Sequence, residues 1–108
     1  MYVRAGYFEG EIAEKDFERF KAHVEREVAP LILKMPGIRD LRILWGREFQ
    51  DGAPPYLLAL EHAYDSKAAM EAAIASPARD AMRAKLAEVM PLFKGSIRHV
   101  NYDLGFKS

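Results

Sequence analysis

Nine consecutive residues, Tyr56-Leu-Leu-Ala-Leu-Glu-His-Ala-Tyr64, are apolar everywhere except at Glu61 and His62. Asp65-Ser66 follows at once and offers a side-chain oxygen to the free amides of a helix start. An Ala-rich helical pattern then runs to Met90, broken once at Ser76-Pro77, where Ser76 is placed to cap a new start and Pro77 suits a first helical position. Strand periodicity sends Leu57, Ala59 and Ala63 one way and Leu58 and Leu60 the other, so this strand needs cover on both faces. The rest of the chain must supply that cover.

Residues 2–9 have the aromatic and β-branched content of a first strand, with Gly6 leaving room for a close approach to the backbone, and Gly10-Glu11 reads as its turn. A helix is expected from Ala13, with Ile12 and Phe17 spaced as a hydrophobic staple. Phe17, Phe20, Val24, Val28 and Leu31 mark its buried stripe. Pro30 should kink its last turn, and Met35-Pro36-Gly37 should end it. Residues 38–48 read as a second strand with Leu41, Ile43 and Trp45 on one face. Asp51 to Pro55 is a loop. In the second helical region Met70, Ile74, Met82, Leu86, Val89 and Phe93 form the stripe. Residues 96–104 are a fourth strand, with Ile97, His99 and Asn101 on one face and Arg98, Val100 and Tyr102 on the other.

The order is therefore β-α-β-β-α-β over residues 1–108: an α+β, ferredoxin-like domain with four antiparallel strands and both helices on one face. Two helices cover one face only. The simplest cover for the other is the sheet of an identical chain, so the expected assembly is a homodimer closing into an α+β barrel.

Composition narrows the function. Lys plus Arg and Asp plus Glu are equal at 16 each, with no charge blocks, so no field favours nucleic acid or an anionic membrane. The absence of cysteine excludes disulfides, thiolate metal sites and a cysteine nucleophile. No apolar run approaches the roughly 20 residues of a membrane helix, and no secretory signal is expected at the N-terminus, so a cytoplasmic location is expected.

The Ala29-Pro30-Leu31 turn with Met35-Pro36-Gly37, and Tyr64-Asp65-Ser66 leading to Ala75-Ser76-Pro77, resemble the EthD-like family of the dimeric α+β barrel superfamily. The likeness covers nearly the whole chain. It implies a small, hydrophobic or aromatic ligand held between sheet and helices, as in cofactor-free monooxygenases, lactone isomerases and polyketide cyclases. Two departures stand out. Val28 occupies the position before Ala-Pro-Leu where such proteins often carry His. The second helix has no His, with Ala73 and Ala78 near its expected place, which argues against haem. No established catalytic residue is therefore carried over.

The candidates come instead from the residues themselves. His62 is suited to general base work on an acidic C–H or phenol, with Tyr7 or Tyr64 stabilising the oxyanion; the alternative is a core-edge histidine bonded to a backbone carbonyl. His99, with Asn101 beside it, is the second proton handler. Tyr64, Trp45 and Tyr56 are expected to wall a ligand pocket, although Trp45 also suits a core or interface. His23 lies at the edge of the first helix stripe, as a pocket or boundary residue. Glu61 calls for a partner, either Arg42 or Arg4. With no H-x-H or H-E-x-x-H spacing and no Gly-rich phosphate loop, no metal or cofactor is expected. A non-catalytic ligand-binding or accessory dimer of an oxidative pathway is the alternative function.

Overall fold

A computed structural model describes residues 1–108. In chain order the elements are β1 (Tyr2–Ile12), α1 (Glu14–His23), a π-helical turn (Val24–Val28), α2 (Ala29–Ile32), β2 (Asp40–Trp45), β3 (Tyr56–Tyr64), α3 (Lys67–Ile74), α4 (Pro77–Ala87), a 3-10 turn (Met90–Leu92) and β4 (Phe93–Asp103). The strands form one antiparallel sheet in the order β2-β3-β1-β4, and the fold is the expected ferredoxin-like α+β arrangement.

Local chemistry accounts for most boundaries. Ala13 precedes α1 with extended backbone and no side-chain cap, as its sequence dictates. The Ser66 hydroxyl accepts from the Ala69 amide at 3.1 Å and caps α3. Ser76 departs from expectation: its hydroxyl donates to the Ala73 carbonyl at 2.6 Å, closing α3 instead of capping α4.

Pro30 acts through the backbone before it. Its missing amide and its ring, which would strike the carbonyl four residues back, are accommodated by the π-turn, where the Ala29 amide reaches the Val24 carbonyl. The wider turn shifts the stripe. Phe20, Val24, Val28 and Ile32 are buried, so Ile32 takes the place expected for Leu31. With Phe8, Leu58, Leu60, Tyr64, Met70 and Ala73 they form the core between sheet and helices.

The strands also run further than the sequence reading had them. β1 continues through Gly10, which faces Gly95 across β4. A Cβ on either would overlap the backbone carbonyl of the other strand, which fixes glycine at both positions. β4 begins at Phe93, which is buried as a strand residue rather than as the end of the helical stripe. Beyond Phe93 every β4 residue is exposed, on both faces, and α3 packs chiefly on β1 and β3.

Candidate functional site

Register assigns each candidate to a face. Arg4 lies opposite His62 on β3 and Asn101 on β4, and Gly6 lies opposite Leu60 and His99. With Phe8 and Tyr64 these residues make up the helix-facing side. His62 and His99 thus flank β1 as diagonal neighbours on one shared face. Between this part of the sheet and the helices lies a cleft of about 250 Å³, just under the roughly 300–1,000 Å³ of drug-sized pockets. Both imidazoles line it. Phe8, Ile32, Leu60, Met82 and Ile97 contribute to its apolar wall.

Gly6 forms the floor. A Cβ there would stand 3.4 Å from Cδ2 and Nε2 of His99, in contact with that ring, which lies over β1 at this point. His62 is anchored from behind: its Nδ1 is 2.7 Å from the Tyr64 hydroxyl. Tyr64 is fully buried, and this nitrogen is its hydroxyl's one partner. A buried hydroxyl donates where it can, so Tyr64 donates to Nδ1, which puts the ring proton on Nε2 and leaves Nε2 free.

Burial and nearby guanidinium groups disfavour protonation of both imidazoles. Burial, with the Arg4 guanidinium next in effect, lowers the His62 pKa from 6.5 to about 4. His99 is lowered as well, by burial first and then by Arg4, Arg79 and Arg83. Burial pushes the Tyr64 hydroxyl up to about 12, so it stays a phenol and a donor.

Other expected site residues lie elsewhere. Tyr7 is on the opposite face of the sheet, its hydroxyl 2.8 Å from that of Tyr102, so it is not positioned to assist His62. The bond to Tyr102, with burial, raises its pKa to about 12. Tyr56 shares the parity of His62 but not its side. The β1–β3 register slips between Phe8 and Glu9, placing Tyr56 opposite Glu9 and its ring 5.4 Å from Tyr7. Trp45 faces the helices but not the cleft: its indole N–H donates to Glu25 Oε2 at 2.9 Å, and its ring meets Phe17 and Phe20 edge-on. His23 bridges helices, with Nε2 2.8 Å from the Lys85 carbonyl. Glu61 pairs with Arg42 at 3.4 Å on the open face, whereas Arg4 turns inward and donates to Asn101 Oδ1 at 3.2 Å. No group of three or more His, Cys, Asp or Glu side chains comes together to hold a metal ion.

The residues missed by sequence reasoning are Arg4, Arg79 and Arg83, which line the cleft with the two histidines. Arg79, Met82, Arg83 and Leu86 recur at i, i+3, i+4 and i+7 on α4, which is the spacing of a single helix face. That pattern was available as a signal.

Solved structures share this architecture. An ethyl tert-butyl ether degradation (EthD) family protein from Bacillus halodurans C-125 superposes with a TM-score of 0.71 at 21% identity, over 97% of this chain and 100% of that one. The chain has the EthD-type ferredoxin-like fold. A dimeric ferredoxin-like protein of unknown function from Bacteroides fragilis shares the EthD-type fold at a TM-score of 0.70 and 16% identity, over 95% of both chains. SnoaB, a cofactor-independent oxygenase from Streptomyces nogalater, does so at 0.61 and 17%, over 98% of this chain and 94% of that one. No family model matches the sequence, and no curated protein does. No helix is long and apolar enough to cross a membrane.

Proposed function

We propose that this chain is a homodimeric, single-domain enzyme that handles protons on a small, largely hydrophobic or aromatic molecule held between sheet and helices, as a cofactor-free isomerase, cyclase or oxygenase would. The observation that carries the reading is the pair of imidazoles in one cleft, with His62 held by the buried Tyr64 hydroxyl. A neutral imidazole is the form that can accept a proton, and one with its proton on Nε2 can donate to a developing oxyanion. In this reading His99 takes a proton from an acidic C–H or phenol, and the Nε2–H of His62 stabilises the enolate or phenolate oxygen that results. Tyr64 acts behind His62 as a positioning residue. With Tyr7 on the opposite face of the sheet, the oxyanion role falls to His62 itself.

The homodimer rests on the open face of the sheet. Leu44, Val100 and Tyr102 are exposed there, and Ala59 and Val3 lie between them. The B. fragilis neighbour is described as dimeric, and SnoaB as an oxygenase that needs no cofactor.

Native mass spectrometry of freshly purified protein tests both parts, because it reports subunit number and any retained small molecule together. A dimer carrying an organic ligand is expected. With a turnover assay in hand, His99→Gln should lower kcat by roughly 10²–10⁴, the usual contribution of a general base. A variant with unaltered turnover would remove His99 from the chemistry.

A further inference from the structure

Three guanidinium groups, those of Arg4, Arg79 and Arg83, line the cleft, and no aspartate or glutamate does. Elsewhere on the chain Arg19, Arg39, Arg42 and Arg98 each have a carboxylate within 4.0 Å, while Arg26 and Arg47, exposed and set singly along the chain, do not. None of the three cleft arginines has one; Arg4 bonds only to the neutral amide oxygen of Asn101. Arg79 and Arg83 stand four residues apart on one helix face, where like charges repel. All three adjoin an apolar wall that solvates charge poorly. A negative charge arriving from outside would find all three guanidinium groups without a carboxylate, beside two imidazoles whose protonation is disfavoured by burial first and by neighbouring guanidinium groups next.

We propose that the cleft takes an organic acid, with its carboxylate or equivalent oxyanion set among Arg4, Arg79 and Arg83 and its apolar body against Phe8, Met82 and Ile97. This rests on the ligand-site reading above and narrows it from a hydrophobic molecule to an amphipathic anion. The guanidinium fork matches a planar carboxylate, and such bonds strengthen where water is displaced. A cleft of about 250 Å³ suits an acid built on one or two rings rather than a polyphosphate nucleotide or a long acyl chain. The bound anion would also favour protonation of His62 and His99, which couples ligand charge to proton transfer.

The test compares 2-naphthoate with its uncharged isostere 2-naphthamide by calorimetric titration of the full chain at pH 7.5 and low salt. The acid should bind about tenfold or more tightly than the amide, since charge-assisted bonds are worth more than neutral ones. Its affinity should fall with added sodium chloride while that of the amide holds. R79Q/R83Q should weaken the acid by a similar factor and leave the amide unchanged; Arg83→Gln alone, on an exposed residue, serves if the double variant folds poorly. Imidazole NMR should show the His62 pKa rising when the acid binds and not when the amide does. Equal affinity for the two probes, or an acid indifferent to R79Q/R83Q, overturns the anion proposal while leaving a ligand cleft in place. Failure of both probes to bind overturns the anion proposal and the ligand-site reading together.

Discussion

The two faces of this sheet share one backbone and differ in how they treat charge. On the open face charges are matched: Arg42 with Glu61 at 3.4 Å and Arg98 with Glu9 at 3.9 Å, while Tyr7 and Tyr102 satisfy each other. In the cleft on the helix side three guanidinium groups are left without carboxylates, and protonation of the two imidazoles is disfavoured. Internally satisfied polar groups among exposed apolar side chains can be covered by another protein at little cost, since nothing is left seeking a partner. Unmatched charge beside an apolar wall has the opposite character: it gains when a complementary molecule enters. Under the proposed function the first face is the subunit interface and the second the ligand site.

The largest expected effect would break this contrast outright. Val100→Arg places an unpaired charge in the middle of the open face, where the isolated subunit tolerates it because the residue is exposed. In sedimentation equilibrium it should weaken dimerisation by about 100-fold or more, near 3 kcal/mol. An unchanged dimer would place the interface elsewhere, and the two faces would lose their assigned roles.

Next comes the core that only one face possesses. Leu58→Ala empties a fully buried site in the core between sheet and helices and should cost about 2–5 kcal/mol in denaturant unfolding. Leu44→Ala, exposed on the other side, should cost under about 0.5 kcal/mol in the monomeric Val100→Arg background. Comparable losses would mean that the open face is packed within one chain.

The third prediction concerns pH. His62 titrates at about 4 in the fold and at 6.5 when exposed, so the unfolded chain binds the extra proton between those values. Stability contributed by the neutral ring is therefore fully present above about pH 7 and is lost as pH falls towards 4. The loss attributable to this residue should be about 2–3 kcal/mol, read as the difference in pH slope between the wild type and His62→Gln. Parallel slopes would mean that the ring is solvated and the helix side no more sheltered than the open one.

How much of this was legible follows from which features are local. The cap at Ser66, the chain order and the two-sided apolarity of β3 depend on neighbours in sequence, and they were readable. That His62 shares a face with Leu58, Leu60 and Tyr64 was readable too, because period-two alternation gives parity within a strand. Parity does not say how strands face one another. Tyr7 and Tyr56 were misplaced for that reason, the latter through a register slip no turn residue announces. The exchange of Leu31 for Ile32 has a similar origin: a π-turn forced by Pro30 adds a residue to one revolution. The cleft arginines are nonlocal in a stronger sense. The 79–82–83–86 face is visible in α4, but its meaning depends on Arg4, 75 residues before Arg79, arriving opposite it.

The smallest effect sharpens the contrast by touching neither face. Ala13 stands at the start of α1 with φ −56° and ψ 138°, the extended geometry of a capping residue, and has no oxygen to offer. Ser66 shows in the same molecule what such an oxygen does, accepting from an amide three residues on at 3.1 Å. Ala13→Ser should therefore raise unfolding free energy by about 0.5–1 kcal/mol, measured as a higher denaturant midpoint at unchanged slope. Because the new bond is confined to the helix end, neither the dimer affinity nor the preference for an acidic ligand should move with it. A shift in either would mean that stability of the fold and occupation of the two faces are coupled, and the effects of Val100→Arg and R79Q/R83Q could then no longer be assigned to one face each.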